Sequence, residues 1–126
     1  MTLRKLSTIG LALLWLGAYT ATHIPAAQLP KLHAGDKTLH LVGYFGLVAA
    51  WLVMLRIRKS PFRRRVVLTL MIFPLYALFD EGTQPLVNRW FSWLDILADL
   101  GGMTAALGID GIASALGLRT KGLSSS

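Results

Sequence analysis

Apolar runs close to the ~20 residues that a helix needs to cross a bilayer fill most of this chain. They are separated by prolines, one arginine-rich loop and one acidic stretch. A soluble domain of this size would keep a polar face along each helix. Here the runs are apolar all round. The 126 residues are 54% hydrophobic, and mean hydropathy reaches +0.55 despite the diluting basic clusters. The fold class expected is all-α: a polytopic membrane protein forming a bundle of four transmembrane helices within a single domain, residues 1–126. With no cysteine, disulfides and thiolate metal sites are excluded.

The spans expected are about Leu6–Thr22, Lys37–Ile57, Val66–Thr83 and Trp93–Leu118. The first, with Arg4 and Lys5 before a short apolar run, also fits a secretory signal peptide; an uncleaved span is the reading adopted. Pro25 and Pro30 break the chain into an external loop. Pro74 predicts a kink in the third span, and Pro85 disfavours helix at Gln84. Between spans two and three stand Arg56, Arg58, Lys59, Arg63, Arg64 and Arg65, a strong cytoplasmic signal. With both termini inside, only Lys31, Lys37 and Arg89 of the 13 Lys and Arg fall outside. The net charge of +7 is thus read as anchoring of cytoplasmic loops in the plasma or inner membrane. No separate polar domain remains for nucleic acid, so none is expected as a partner.

This topology brings nearly all the intramembrane polar groups to one depth. Asp36, Lys37, His40 and Tyr44 open span two, Asp80, Glu81 and Gln84 close span three, Asp95 and Asp99 open span four, and Arg89 lies in the turn between. Ionisable groups there cost several kcal/mol unless paired or hydrated, so they are functional candidates by default. Lys37, His40 and Tyr44 share a helical stripe, as do Asp95 and Asp99. Asp80 and Gln84 share a face if the helix persists that far.

Bland readings compete for most of them. Asp36 fits an N-cap, Ser92 and Asp95 a capping box, His40 a satisfied core histidine, and Tyr44 an interfacial aromatic. Asp80 and Glu81 resist this treatment. They adjoin each other at a helix C-terminus, where the macrodipole disfavours carboxylates. Five carboxylates face Lys37 and Arg89, so either some carry protons or a cation is bound. The spacing of His40, Glu81 and Asp95 matches no established metal motif, and no cofactor is expected. Asp110 lies about 16 Å beyond Asp99 on nearly the same stripe. It either ends a polar track or pairs with an arginine of the basic loop. Gly101, Gly102, Ala105, Ala106 and Gly108, and less completely Gly43 and Gly46, form small-residue patterns that let helices approach closely.

The string D-K-x-x-H-x-x-x-Y, then D-E-x-x-Q, R, S-x-x-D and a glycine pair resembles the VanZ-like family of small membrane proteins. Its residues here are Asp36, Lys37, His40, Tyr44, Asp80, Glu81, Gln84, Arg89, Ser92, Asp95, Gly101 and Gly102. Where the family usually has Asn, this chain has Asp99. The resemblance implies an envelope protein, and the family's namesake is associated with low-level teicoplanin resistance.

Three functions follow as expectations. The first is binding of a lipid head group, a cell-wall precursor or an amphiphilic drug, with Lys37 and Arg89 meeting phosphate or carboxylate. Trp90, Phe91 and Trp93 would border that site. The second is proton or cation translocation through a homo-oligomer, since four spans leave little room for alternating access. The third is a membrane-embedded hydrolase or transferase, which would need His40 within reach of Glu81 or Asp95.

Overall fold

A threonine starts the first helix. The Thr2 hydroxyl accepts the Lys5 amide, and α1 runs Leu3–Thr22. The structure, a computed structural model, describes residues 1–28 and 36–117. After α1 come a 3-10 turn at Ala26–Gln28, α2 (Asp36–Ile57), α3 (Phe62–Thr83), a second 3-10 turn at Gln84–Val87 and α4 (Trp93–Ala115). Among the described residues there is no strand. The expected loop segment around Pro30 and Lys31, and the tail from Leu118, lie outside the described residues.

Several boundaries differ from expectation for local reasons. Asp36 is the first residue of α2 rather than a cap before it. The turn after α2 is tight: Lys59 takes a left-handed conformation, Ser60 N–H bonds to the Leu55 carbonyl and Lys59 N–H to the Arg56 carbonyl. This is the Schellman arrangement, which satisfies the last free carbonyls of a helix. Pro61 then caps α3, so α3 begins four residues before Val66 and the arginine run 63–65 is helical. At its other end, the helical path continues through Gln84 into the 3-10 turn, whose C-cap is Asn88 in a left-handed conformation. Pro85 sits where a first-turn amide would have no partner, so it extends the path instead of closing it. Helix α3 passes through Pro74 without interruption.

Large apolar side chains stay on the outside while several charged ones are buried. Leu13, Leu75, Leu97 and Ile112 are exposed, whereas His40, Arg65, Asp80, Glu81, Asp95, Asp99 and Asp110 are buried. Three helical segments, Asp36–Ile57, Phe62–Val87 and Trp93–Ala115, are long and apolar enough to cross a membrane. Helix α1 is not among them: Arg4 and Lys5 occupy its first turn, and Ser7, Thr8, Thr20 and Thr22 dilute the rest. These features suggest a membrane protein.

The most extensive packing joins α2 and α4, with α1 against α2 and α3 against α4. Leu47, Val48, Phe73, Ala77, Met103 and Ala106 fill the centre. Trp15 fastens α1 there, stacked on Phe73 at 5.1 Å and edge-on to Tyr76. Such aromatic pairs add about 0.5–1.5 kcal/mol each beyond burial. Gly102 sets the α2–α4 spacing: a Cβ there would run into the Leu41 carbonyl oxygen and the Phe45 amide nitrogen. Only a glycine lets the two backbones come that close.

Candidate functional site

The C-terminal ends of α1 and α3 and the N-terminal ends of α2 and α4 meet at one end of the bundle. Their polar side chains converge around His40. On α2, His40 lies one helical turn beyond Asp36 and is almost fully buried. Its Nδ1 is 2.8 Å from Asp99 Oδ1 on α4. With Asp99 ionised, its carboxylate only accepts, and Nδ1 is then the donor of this bond. The close approach at Gly102, one turn beyond Asp99 and opposite Leu41, holds the two helices in that register. His40 Nε2 faces the other way, toward Asp95 Oδ2 at 3.6 Å, Glu81 Oε1 at 3.8 Å and Asp36 Oδ2 at 4.0 Å.

Each of those carboxylates is fixed from behind. The Ser92 hydroxyl accepts the Asp95 amide, completing half of the capping box. The reciprocal half is taken by Glu81, whose Oε2 accepts the Ser92 amide at 3.1 Å. The Asp95 carboxylate is thereby left for Lys37 Nζ, 3.5 Å from its Oδ1, and for His40. Glu81 Oε1 accepts the Gln84 side-chain amide at 2.8 Å. Gln84 thus serves Glu81 rather than Asp80. Arg89 donates to the Thr22 carbonyl at 2.8 Å and approaches Asp36 Oδ1 at 3.5 Å.

Asp80 belongs to a second group that the sequence did not reveal. Its Oδ1 accepts the Thr22 hydroxyl at 2.7 Å, and His23 Nδ1 lies 3.7 Å from the same oxygen. His23 Nε2 reaches the Thr83 hydroxyl at 2.7 Å. Thr22 and His23 thereby dock the end of α1 onto α3. The one signal for them was a polar pair closing an apolar run at the depth of the cluster. Asp80 Oδ2, Asp99 Oδ2 and the Tyr44 hydroxyl are buried without a hydrogen-bond partner. Tyr44 is a core residue stacked on Tyr76 at 5.9 Å, not an interfacial one.

A cavity of about 350 Å³ opens beside the cluster. Ala18, Leu39, Gly43 and Tyr76 give it apolar walls, while Asp36, His40, Asp80 and Arg89 supply charge at its lining. Trp90 and Trp93 are strongly exposed at the same end.

Of the ten candidate residues, Asp36, His40, Glu81, Asp95 and Asp99 meet around one imidazole. Lys37, Gln84 and Arg89 hold them in position, while Asp80 faces α1 and Tyr44 the core. Asp110 stands apart at the opposite end of α4. There Arg65 Nε bonds its Oδ2 at 3.0 Å, Arg56 Nε bonds its Oδ1, and both guanidinium groups reach Ser114 Oγ. Asp110 therefore ties α4 to both ends of the basic loop and ends no polar track.

Compared with protein-family models, curated proteins and solved structures, the chain has no match.

Proposed function

We propose that this chain is a VanZ-like protein of the plasma or inner membrane. It would have four spans, both termini cytoplasmic, and a polar cluster on the outer side that holds the head group of an envelope lipid, a wall precursor or an amphiphilic drug. The observation that carries this reading is the cavity, whose apolar walls suit an acyl or aromatic moiety and whose lining carries charges of both signs. Arg89 is the group for a phosphate or carboxylate. Asp80, with one oxygen unpartnered, is the group for an amine. Pockets of this kind, mostly apolar with a few convergent polar groups, are the usual form of a small-ligand site.

Translocation is less favoured, because the Asp110 carboxylate is bound by two arginines. For hydrolysis, no side chain among the described residues of the cluster is placed as a nucleophile: the Ser92 hydroxyl accepts as a helix cap, and the hydrogen bond of His40 goes to Asp99.

The test is a susceptibility titration in a teicoplanin-sensitive host lacking an outer membrane, comparing empty vector, wild type and Glu81→Gln at matched membrane levels. Vancomycin serves as the control drug. Glutamine at position 81 cannot accept from both Gln84 and the Ser92 amide through two oxygens, so the site opens. Protection against teicoplanin that the variant loses is the expected outcome. A fully protective Glu81→Gln protein removes the cluster from the mechanism, and no protection by wild type removes the resistance reading.

A further inference from the structure

We infer that His40, Asp95 and Asp36 form a binding site for a first-row divalent cation of the zinc class, with Asp99 as the outer carboxylate that orients the imidazole. One ligand atom from each of the three residues lies within 4.8 Å of the others. The distances from His40 Nε2 to the nearest oxygens of Asp95 and Asp36, 3.6 and 4.0 Å, are too long for hydrogen bonds. They suit ligands that share an ion. With metal–nitrogen and metal–oxygen bonds of about 2.0–2.2 Å, tetrahedral ligands stand about 3.4 Å apart. A contraction of roughly 0.2–0.6 Å therefore completes the geometry.

Three further observations point the same way. Metal-bound histidines almost always donate their second ring N–H to a carboxylate or carbonyl, which fixes the tautomer; Asp99 Oδ1 is placed to accept that bond from His40 Nδ1 at 2.8 Å. Each of the two ligand carboxylates is approached by a cation on its Oδ1, Lys37 at Asp95 and Arg89 at Asp36, while the Oδ2 atoms point at Nε2. Among the described residues, five carboxylates here face Lys37 and Arg89 as permanent cations, and a divalent ion removes most of that imbalance. Imidazole with carboxylates is a donor set that suits zinc and its neighbours better than calcium or magnesium.

Full-length protein purified in detergent, stripped with a chelator and dialysed against Zn²⁺, tests this with no envelope lipid, wall precursor or drug added. Failure here is therefore separate from failure of the head-group reading. Wild type is expected to retain about one zinc per chain. His40→Ala and Asp95→Asn lose it, Asp99→Asn weakens it about 10–100-fold, and His23→Ala retains it. A zinc X-ray absorption spectrum of loaded wild type needs no variant and should show one imidazole among oxygen donors. Wild type that retains no zinc overturns the inference. So does a His40→Ala protein that binds as tightly as wild type, or a spectrum with two or more imidazoles.

Discussion

Substituting Gly102 by alanine tests whether the α2–α4 contact sets the geometry of the site. A Cβ at this position would lie 2.8 Å from the Phe45 amide nitrogen and closer still to the Leu41 carbonyl oxygen. Both obstacles are backbone, so no rotamer change relieves them and the helices must separate. Ordinary contacts between heavy atoms lie at ~3.5–4.0 Å, which requires a displacement of about 1 Å along the largest interface of the fold. Overpacking usually costs 1–3 kcal/mol. A rigid clash belongs at the upper end, about 3 kcal/mol, or roughly a 150-fold fall in the folded-to-unfolded ratio. Gly101 is the internal control. A Cβ there meets only Leu41 Cδ1, at 3.7 Å, and exchanging glycine for alanine inside a helix gains up to ~1 kcal/mol. Reversible unfolding in mixed micelles, followed by helical circular dichroism as the denaturing detergent is raised, should move in opposite directions for the two variants. If Gly102→Ala unfolds together with or later than Gly101→Ala, the close-approach argument is wrong.

Two other substitutions probe the ends of the bundle by the same assay. Asp110→Ala leaves Arg56 and Arg65 without their shared carboxylate. Removing one partner of a buried ion pair costs about 3–5 kcal/mol, and a loss under 1 kcal/mol would refute the pairing. Thr22→Val removes the hydroxyl that Asp80 accepts, with an expected cost of about 1–3 kcal/mol. Thr22→Ser should restore most of it; equal losses in both variants would show that the hydrogen bond does not dock α1.

How the site residues divide their work was only partly legible in the sequence. Helical spacing put Lys37, His40 and Tyr44 on one stripe, and Asp95 and Asp99 on another, because periodicity along one helix is local; Tyr44 nonetheless packs in the core. Asp80 and Glu81 stood out together in the sequence, yet they face different neighbours. The Asp80 carboxylate meets α1, whereas Glu81 meets Ser92, and nothing in the dipeptide decides which helix lies on which side. Ser92 shows the same limit. Its spacing to Asp95 announced a capping box, but the return bond to its amide comes from Glu81, eleven residues upstream. Thr22 and His23 escaped notice because their importance depends on a residue 58 positions further along.

The sequence by itself determined a helical chain with apolar runs of membrane length, expected as four spans where three described helices are long and apolar enough for a membrane, and the concentration of charge at the helix ends. Those properties follow from hydrophobicity, proline and charge read along the chain. Only the tertiary structure decided that the carboxylates converge on His40, that Asp99 holds its other nitrogen, and that Asp110 belongs to the arginines. Such pairings are fixed by how closely and in what register helices pack, and at Gly102 that spacing depends on the backbone of a helix some sixty residues earlier.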